Sequence, residues 1–441
     1  MYLRDVKRIV VFGPGPRFKG GIAQFSISLC KALEALGHEV FLVSWTQQYP
    51  SVIPRDFLDR SSKVNLLEGS RTQVKYITNY NNPFSWIKTV DYIASLNPDQ
   101  VIFQWAIAIQ GLPIGFIAGR VKSKLPKSEI IFDVHNVVQK ESGALDKRLT
   151  RYALRMADTY IMHGRITIEE FRQFMPEIQF EISRNGERFS NRKTILSLFH
   201  PNYDIFKVNS GFNVDQERIN LGLQQNNEAA KVVFLFFGFI RKYKGLHYAL
   251  EAFSRLRKSN PEAMLLVAGE SFWDTVDKTK WTNKIKSFIF GLLKSIFISN
   301  KDQEKNYRPL DLIEQLGLQN SVVVVNRFIP NEEVARFFQV SDAVLNFYEY
   351  ATPSGVESIA YQFEKPVLAT KVGHFEHAIQ HGLNGYLAEA ADVNSMAATM
   401  RLFIEKGIDK AAFKSYCAQY NWESYATQVA GRGELKAQTI D

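Results

Sequence analysis

Short apolar runs alternate with longer segments of helical period along most of this chain, and that alternation admits few architectures. The runs 8–12, 39–45, 101–105, 129–134, 158–163 and 194–199 are rich in Val, Ile and Phe and read as strands. Segments between them, such as 22–36 and 86–94, repeat their apolar residues at the spacing of a helix. Strands apolar on both faces and separated by helices belong in a parallel sheet covered on both sides. The pattern then starts again with the runs 232–237, 263–268, 321–325, 343–347 and 367–369. Between the two series, 207–230 is polar with Asn and Gln clusters, as a connector with a short helix would be. The expectation is an α/β chain with two doubly wound units, residues 1–206 and 207–408, and closing helices in 409–441.

Ligands of doubly wound sheets sit beyond the C-terminal ends of the strands, so the residues after each run are the first candidates. The run 343–347 leads through Thr352, Pro353, Ser354, Gly355, Val356 and Glu357 into a segment of helical period. Ser354 and Gly355 then fall at a helix N-terminus, where free N–H groups and the positive end of the dipole suit a phosphate. Such a Ser-Gly pair also occurs as a simple cap. The run 232–237 ends at Gly238, and Arg241, Lys242 and Lys244 follow before Gly245. Arg241 offers a planar fork and Lys244 a mobile point charge, a pairing suited to a diphosphate, although a solvated basic turn has the same composition. After the first run, the glycines 13, 15, 20 and 21 do not make a dinucleotide fingerprint, because Phe18 stands where a third Gly or Ala is required. An NAD enzyme is thereby disfavoured. His135 and Asn136 end the run 129–134, a place where a lone His is more often structural than catalytic.

Together, Gly238, Arg241, Lys244 and Gly245, the later Thr352-Pro353-Ser354-Gly355 loop and the Lys365-Pro366-Val367 strand entry resemble the donor site of retaining glycosyltransferases with the GT-B fold, family four. The resemblance runs from Gly13 to about Trp422. It implies two Rossmann-like domains facing a cleft and a nucleotide-diphosphate sugar as donor. It implies diphosphate contacts from Arg241 and Lys244, with Gly238, Ser354, Gly355, Val356 and Glu357 as further donor-binding residues. Gly20 and Gly21 would face the donor phosphate or the acceptor, and His135 would contact the donor sugar during the chemistry. Acceptor-binding candidates are Asn136, Glu141, Gln48 and Tyr49; Glu141 reads more readily as a capping or solvated residue. In the family the last helix returns to the first domain, with Trp422 here as its anchor. The implied mechanism is front-face transfer with retention, without a cofactor, a metal or a separate general base.

One departure stands out. The family has two glutamates eight positions apart around this loop, the second on the donor ribose, and the alignment through Lys365-Pro366-Val367 puts Ala351 and Ile359 there. Glu349 and Glu357 keep the spacing but lie two residues early, so Glu357 reads either as a ribose ligand or as a helix-surface carboxylate. Two rivals follow: a sugar-nucleotide epimerase of the same fold, and a catalytically silent nucleotide-sugar scaffold.

Charge and composition bound the partners. Residues 1–200 carry the whole net charge of +9, which points the first unit at an anionic membrane surface or a phosphorylated acceptor, such as a polyprenyl-diphosphate-linked glycan. The basic residues are scattered and no nucleic-acid motif is present, so nucleic acid is not expected. Cys30 and Cys417 are far apart and suggest neither a disulfide framework nor a zinc site, as in a reducing cytosol. The start resembles no signal peptide, and no run reaches the roughly 18 apolar residues of a membrane span. A cytoplasmic protein, peripheral on the inner face of the cell membrane, is the expectation. The segment 284–298, apolar at helical spacing with interleaved lysines, fits an interfacial helix or an inserted helix packed on its own domain.

Overall fold

The computed structural model describes residues 6–51, 57–137, 143–271 and 307–431. The segment 284–298 and Glu141 lie outside the described residues.

The first lobe is built on eight parallel strands: β1 (Arg8–Phe12), β2 (Glu39–Gln47), β3 (Gln73–Asn79), β4 (Gln100–Trp105), β5 (Glu129–Val134), β6 (Thr159–Met162), β7 (Phe180–Ser183) and β8 (Lys193–Ser197). They lie in the order β3-β2-β1-β4-β5-β6-β8-β7. A short antiparallel ribbon, β9 (Gln224–Gln225) with β10 (Glu228–Ala229), precedes the second lobe. That lobe has six parallel strands: β11 (Val232–Phe237), β12 (Ala263–Ala268), β13 (Val322–Val325), β14 (Ala343–Asn346), β15 (Val367–Thr370) and β16 (Gly385–Ala388). Their order is β13-β12-β11-β14-β15-β16. In each sheet the winding reverses at a central switch, between β1 and β4 and between β11 and β14; at the far edge of the first sheet β7 lies outside β8. A crevice opens at the C-terminal strand ends of each reversal.

Central strands such as β4 and β12 are buried at every position; β12 appears in the sequence as an unbroken apolar run, and β4 as an apolar run interrupted by Gln104. The edge strands differ. Gln73–Asn79 alternates polar and apolar residues, and Phe180–Ser183 has only one buried residue, so neither was among the expected strands.

The last helix, Trp422–Ala430, lies against the first lobe. Trp422 Nε1 donates to the Asn202 carbonyl at 2.7 Å, and its ring sits 4.9 Å from that of Phe25 on helix Gly21–Ala35. The terminal carbonyls of this helix are satisfied by first-lobe side chains: Lys7 to Ala430, Gln100 and Arg188 to Val429. Cations at a helix C-terminus also complement its dipole. No helix among the described residues is long and apolar enough to cross a membrane.

Candidate active site

A cavity of about 670 Å³ lies between the lobes, where the two sheet reversals face each other. Gly20, Gly21 and Gln24 reach it from the loop and helix after β1, and Asn136 from the end of β5. Across from them are Gly238, Arg241 and Lys244 after β11, and Ser354, Gly355 and Val356 after β14.

The second-lobe wall is shaped by two close backbone approaches. Gly245, with φ 67°, begins helix Leu246–Arg257, and a Cβ there would lie 1.9 Å from the Phe347 carbonyl oxygen. Gly269, with φ 155°, would place a Cβ 1.9 Å from the Gly238 carbonyl oxygen. Only glycine fits either position, since the obstacle is backbone and the dihedral is itself unfavourable to other residues. The loops after β11 and β14 are thus pressed together. The Glu349 amide donates to the Tyr243 carbonyl at 2.7 Å, and the Tyr243 and Tyr350 rings stack with centroids 4.9 Å apart.

Lys244 is buried beside this junction, and its Nζ would be 3.0 Å from a Cβ on Gly238. Loss of hydration, and then the neighbouring Arg241 charge, push its pKa down to about 8. The Arg241 guanidinium lies 5.2 Å from the centre of the Tyr243 ring. On the other side of the junction, helix Gly355–Gln362 starts without a side-chain cap at Ser354. Its first N–H groups have no intrahelical acceptor. Two cations and a helix N-terminus therefore converge on one wall, an arrangement able to hold a diphosphate and to stabilise charge growing on it.

Most of the residues expected from sequence are brought together here: Gly20, Gly21, Asn136, Gly238, Arg241, Lys244, Ser354, Gly355 and Val356 all line the cavity. Four do not. The Glu357 carboxylate is buried behind the wall, accepting from Tyr361 OH at 3.1 Å and contacting His374 Nε2 at 3.1 Å, so it is neither a ribose ligand in this arrangement nor a surface group. Gln48 and Tyr49 stand off the cavity, where the Gln48 carbonyl accepts from Gln110 and the Tyr49 ring packs 4.2 Å from that of Phe57. His135 follows β5 as expected, but its ring turns into the first lobe instead of the cavity. Its Nε2 is 2.7 Å from Gln104 Oε1, and its ring packs on Phe25 and His163.

The sequence reading missed Glu170, Tyr203, Glu270, Phe328 and Glu376, which also line the cavity. Glu270 was the most legible of these, because it stands two positions after the apolar run 263–268 at a strand end.

Beneath the cavity lies a buried polar cluster. Asp133 contacts His163 Nε2 at 2.7 Å and accepts from Tyr425 OH at 3.1 Å and Gln104 Nε2 at 3.3 Å. Because Gln104 donates to Asp133 through Nε2, its Oε1 is an acceptor, and the hydrogen on that His135 bond sits on His135 Nε2. Burial lowers the His135 pKa to about 4, so this imidazole is neutral at pH 7. Asp133 is held below the usual carboxylate range because its histidine neighbours and hydrogen-bond donors outweigh burial. Asp133, His135 and His163 place potential metal-ligating atoms within 4.8 Å of one another. The hydrogen bonds just described already satisfy the Asp133 oxygens and His163 Nε2, so the donor set fits an internal hydrogen-bond network better than a metal centre.

Residues 222–420 match the family described as Glycosyl transferases group 1. That match falls on the second lobe and covers a little under half of the chain. Among curated proteins, the chain is 24% identical over 266 residues to D-inositol 3-phosphate glycosyltransferase of Corynebacterium urealyticum, covering 56% of this chain and 53% of that one. It is 24% identical over 279 residues to spore coat protein SA of Bacillus subtilis, covering 61% and 60%. The matched stretch thus spans a little over half the length of these relatives. Among solved structures, HepE of Anabaena in complex with UDP-glucose superposes with a TM-score of 0.65 at 15% identity, covering 96% of this chain and 98% of that one. The chain therefore has the two-lobed GT-B fold.

Proposed function

We propose that this chain is a retaining glycosyltransferase that moves a sugar from a nucleotide-diphosphate donor to a glycan or polyprenyl-diphosphate-linked acceptor, as in bacterial surface polysaccharide synthesis. The observation that carries the reading is the convergence of Arg241, Lys244 and the N-terminus of helix Gly355–Gln362 on one cavity wall. The similarity to an inositol-phosphate glycosyltransferase and to a UDP-glucose complex supports it.

In the proposed reaction the bond between the anomeric carbon and the β-phosphate oxygen breaks, and the acceptor oxygen bonds to that carbon from the same face. The acceptor proton passes to the departing phosphate oxygen. Arg241, Lys244 and the amides of Gly355 and Val356 meet negative charge that is larger in the transition state than in the bound donor, so they accelerate the step as well as bind. Asn136, with Gly20 and Gly21, forms the acceptor side of the cavity. No metal or cofactor is assigned to this chemistry.

The inward turn of Glu357 favours a second reading, a nucleotide-sugar scaffold without turnover. Incubation with nucleotide sugars and lipid-linked acceptors, with the product anomer assigned by NMR, separates the two. The transferase reading expects a new glycosidic bond of the donor's anomeric configuration; donor binding with no transfer to any acceptor supports the scaffold, and an inverted product contradicts the proposed mechanism.

A further inference from the structure

The two lobes share a part-buried polar contact that the reaction scheme does not use. His200 follows β8 at the end of the first lobe, and its Nδ1 lies 2.7 Å from Ser358 Oγ. Ser358 belongs to helix Gly355–Gln362, and its amide donates to the Ser354 carbonyl at 3.2 Å, closing the turn that contains Gly355 and Val356. Anchoring Ser358 therefore anchors Gly355 and Val356, which line the cavity.

The first-lobe end of this contact is itself fixed. The His200 ring packs 5.1 Å from Phe25 and 5.2 Å from His163, the partner of Asp133. Phe25 stands on the helix that begins beside cavity-lining Gly20 and Gly21. Besides Ser358, His200 Nδ1 has the Pro201 carbonyl at 3.3 Å. Ser358 is 3% exposed, so water cannot readily replace the bond. Tyr203, three residues on, reinforces the geometry: its hydroxyl donates to the Gly21 carbonyl at 3.2 Å and would be 3.3 Å from a Cβ on Gly355.

We propose that His200 and Ser358 are positioning residues for the donor diphosphate. Through their contact, the first lobe sets the aim of the Gly355 and Val356 amides on the second. The inference rests on the donor-site reading above and adds to it a residue from the opposite lobe.

The test is calorimetric titration of the full chain with UDP, GDP and ADP, carrying forward whichever binds together with its nucleoside. Ser358→Ala should weaken the diphosphate about tenfold, because the Gly355 and Val356 turn loses its fixed position, and leave nucleoside affinity nearly unchanged. His200→Ala should do the same to the diphosphate, while His200→Asn, whose amide can occupy the Nδ1 position, should recover most of the loss. Ser358→Ala binding the diphosphate as the wild type does overturns the proposal, as does an equal loss for diphosphate and nucleoside. His200→Asn as weak as His200→Ala also overturns it. If the wild type binds none of the three diphosphates, the donor-site reading itself falls and takes this inference with it.

Discussion

A methyl group on Gly245 would stand 1.9 Å from the carbonyl oxygen of Phe347, so the helix after the basic turn and the end of β14 meet at backbone contact. This junction fixes the distance between Arg241 and Lys244 on one loop and Ser354 and Gly355 on the next. Gly245→Ala must push the loops apart, and its positive φ adds strain. The expected result is a loss of stability of about 2 kcal/mol or more together with weaker diphosphate binding, read by denaturant unfolding and calorimetry. A stable Gly245→Ala with wild-type affinity would show that the junction is not what sets the site.

Lys244 makes the site sensitive to alkaline pH. Its pKa of about 8 in the ligand-free protein means that the charge needed by a diphosphate is lost as pH rises through that value. Affinity should be nearly flat from pH 6 to 7 and fall between about pH 8 and 9.5, approaching tenfold per unit. Lys244→Met should bind weakly and remove this part of the pH dependence. The stability effect has the opposite sense. The unfolded lysine holds its proton up to about pH 10.4, so the unfolded state binds more protons between about pH 8 and 10 and Lys244 costs stability below that window. Ligand-free Lys244→Met should therefore melt higher than the wild type at pH 7; a lower melting temperature would count against the buried-charge description.

His135 is expected to act through structure. Truncation removes a ring packed on Phe25 and His163 and leaves Gln104 Oε1 without its donor. His135→Ala should lose roughly 2–4 kcal/mol of stability and lower the melting temperature, with diphosphate affinity little changed. A variant that melts normally but turns over at least tenfold more slowly would return His135 to the chemistry.

The positive first lobe should hold the protein on anionic membranes. Phe84, 76% exposed in the first turn of helix Pro83–Leu96, and Ile87 on the same helix add exposed apolar surface on that lobe. Flotation with vesicles containing anionic lipid should decline with salt and weaken further for Phe84→Ser. Binding indifferent to both anionic lipid and salt would remove the electrostatic part of this reading.

The fold was legible because its central strands are buried on both faces and so appear as apolar runs, as in Ala263–Ala268. Edge strands such as Gln73–Asn79 meet water and lose that signature. Arg241, Lys244 and Gly355 were legible for a local reason: strand, turn and helix start are contiguous in sequence, and the backbone alone determines where they face. Side-chain direction was not. Glu357 is one turn from the cavity but bonds to Tyr361 and His374, and His135 ends the right strand but bonds to Gln104. Tyr361 is one helical turn from Glu357, but His374 lies 17 positions on and Gln104 31 positions from His135, and no local pattern names those two.

The central claim is that the wall formed by Arg241, Lys244 and the Gly355 helix N-terminus binds a nucleoside diphosphate through its phosphates. Calorimetric titration of the wild type and Arg241→Ala with UDP, GDP and ADP, each beside its nucleoside, tests it directly. The account predicts that at least one diphosphate binds and that Arg241→Ala weakens it by about 1.5–3 kcal/mol, with nucleoside affinity unmoved. Equal losses for the diphosphate and its nucleoside, or no loss for either, would contradict it.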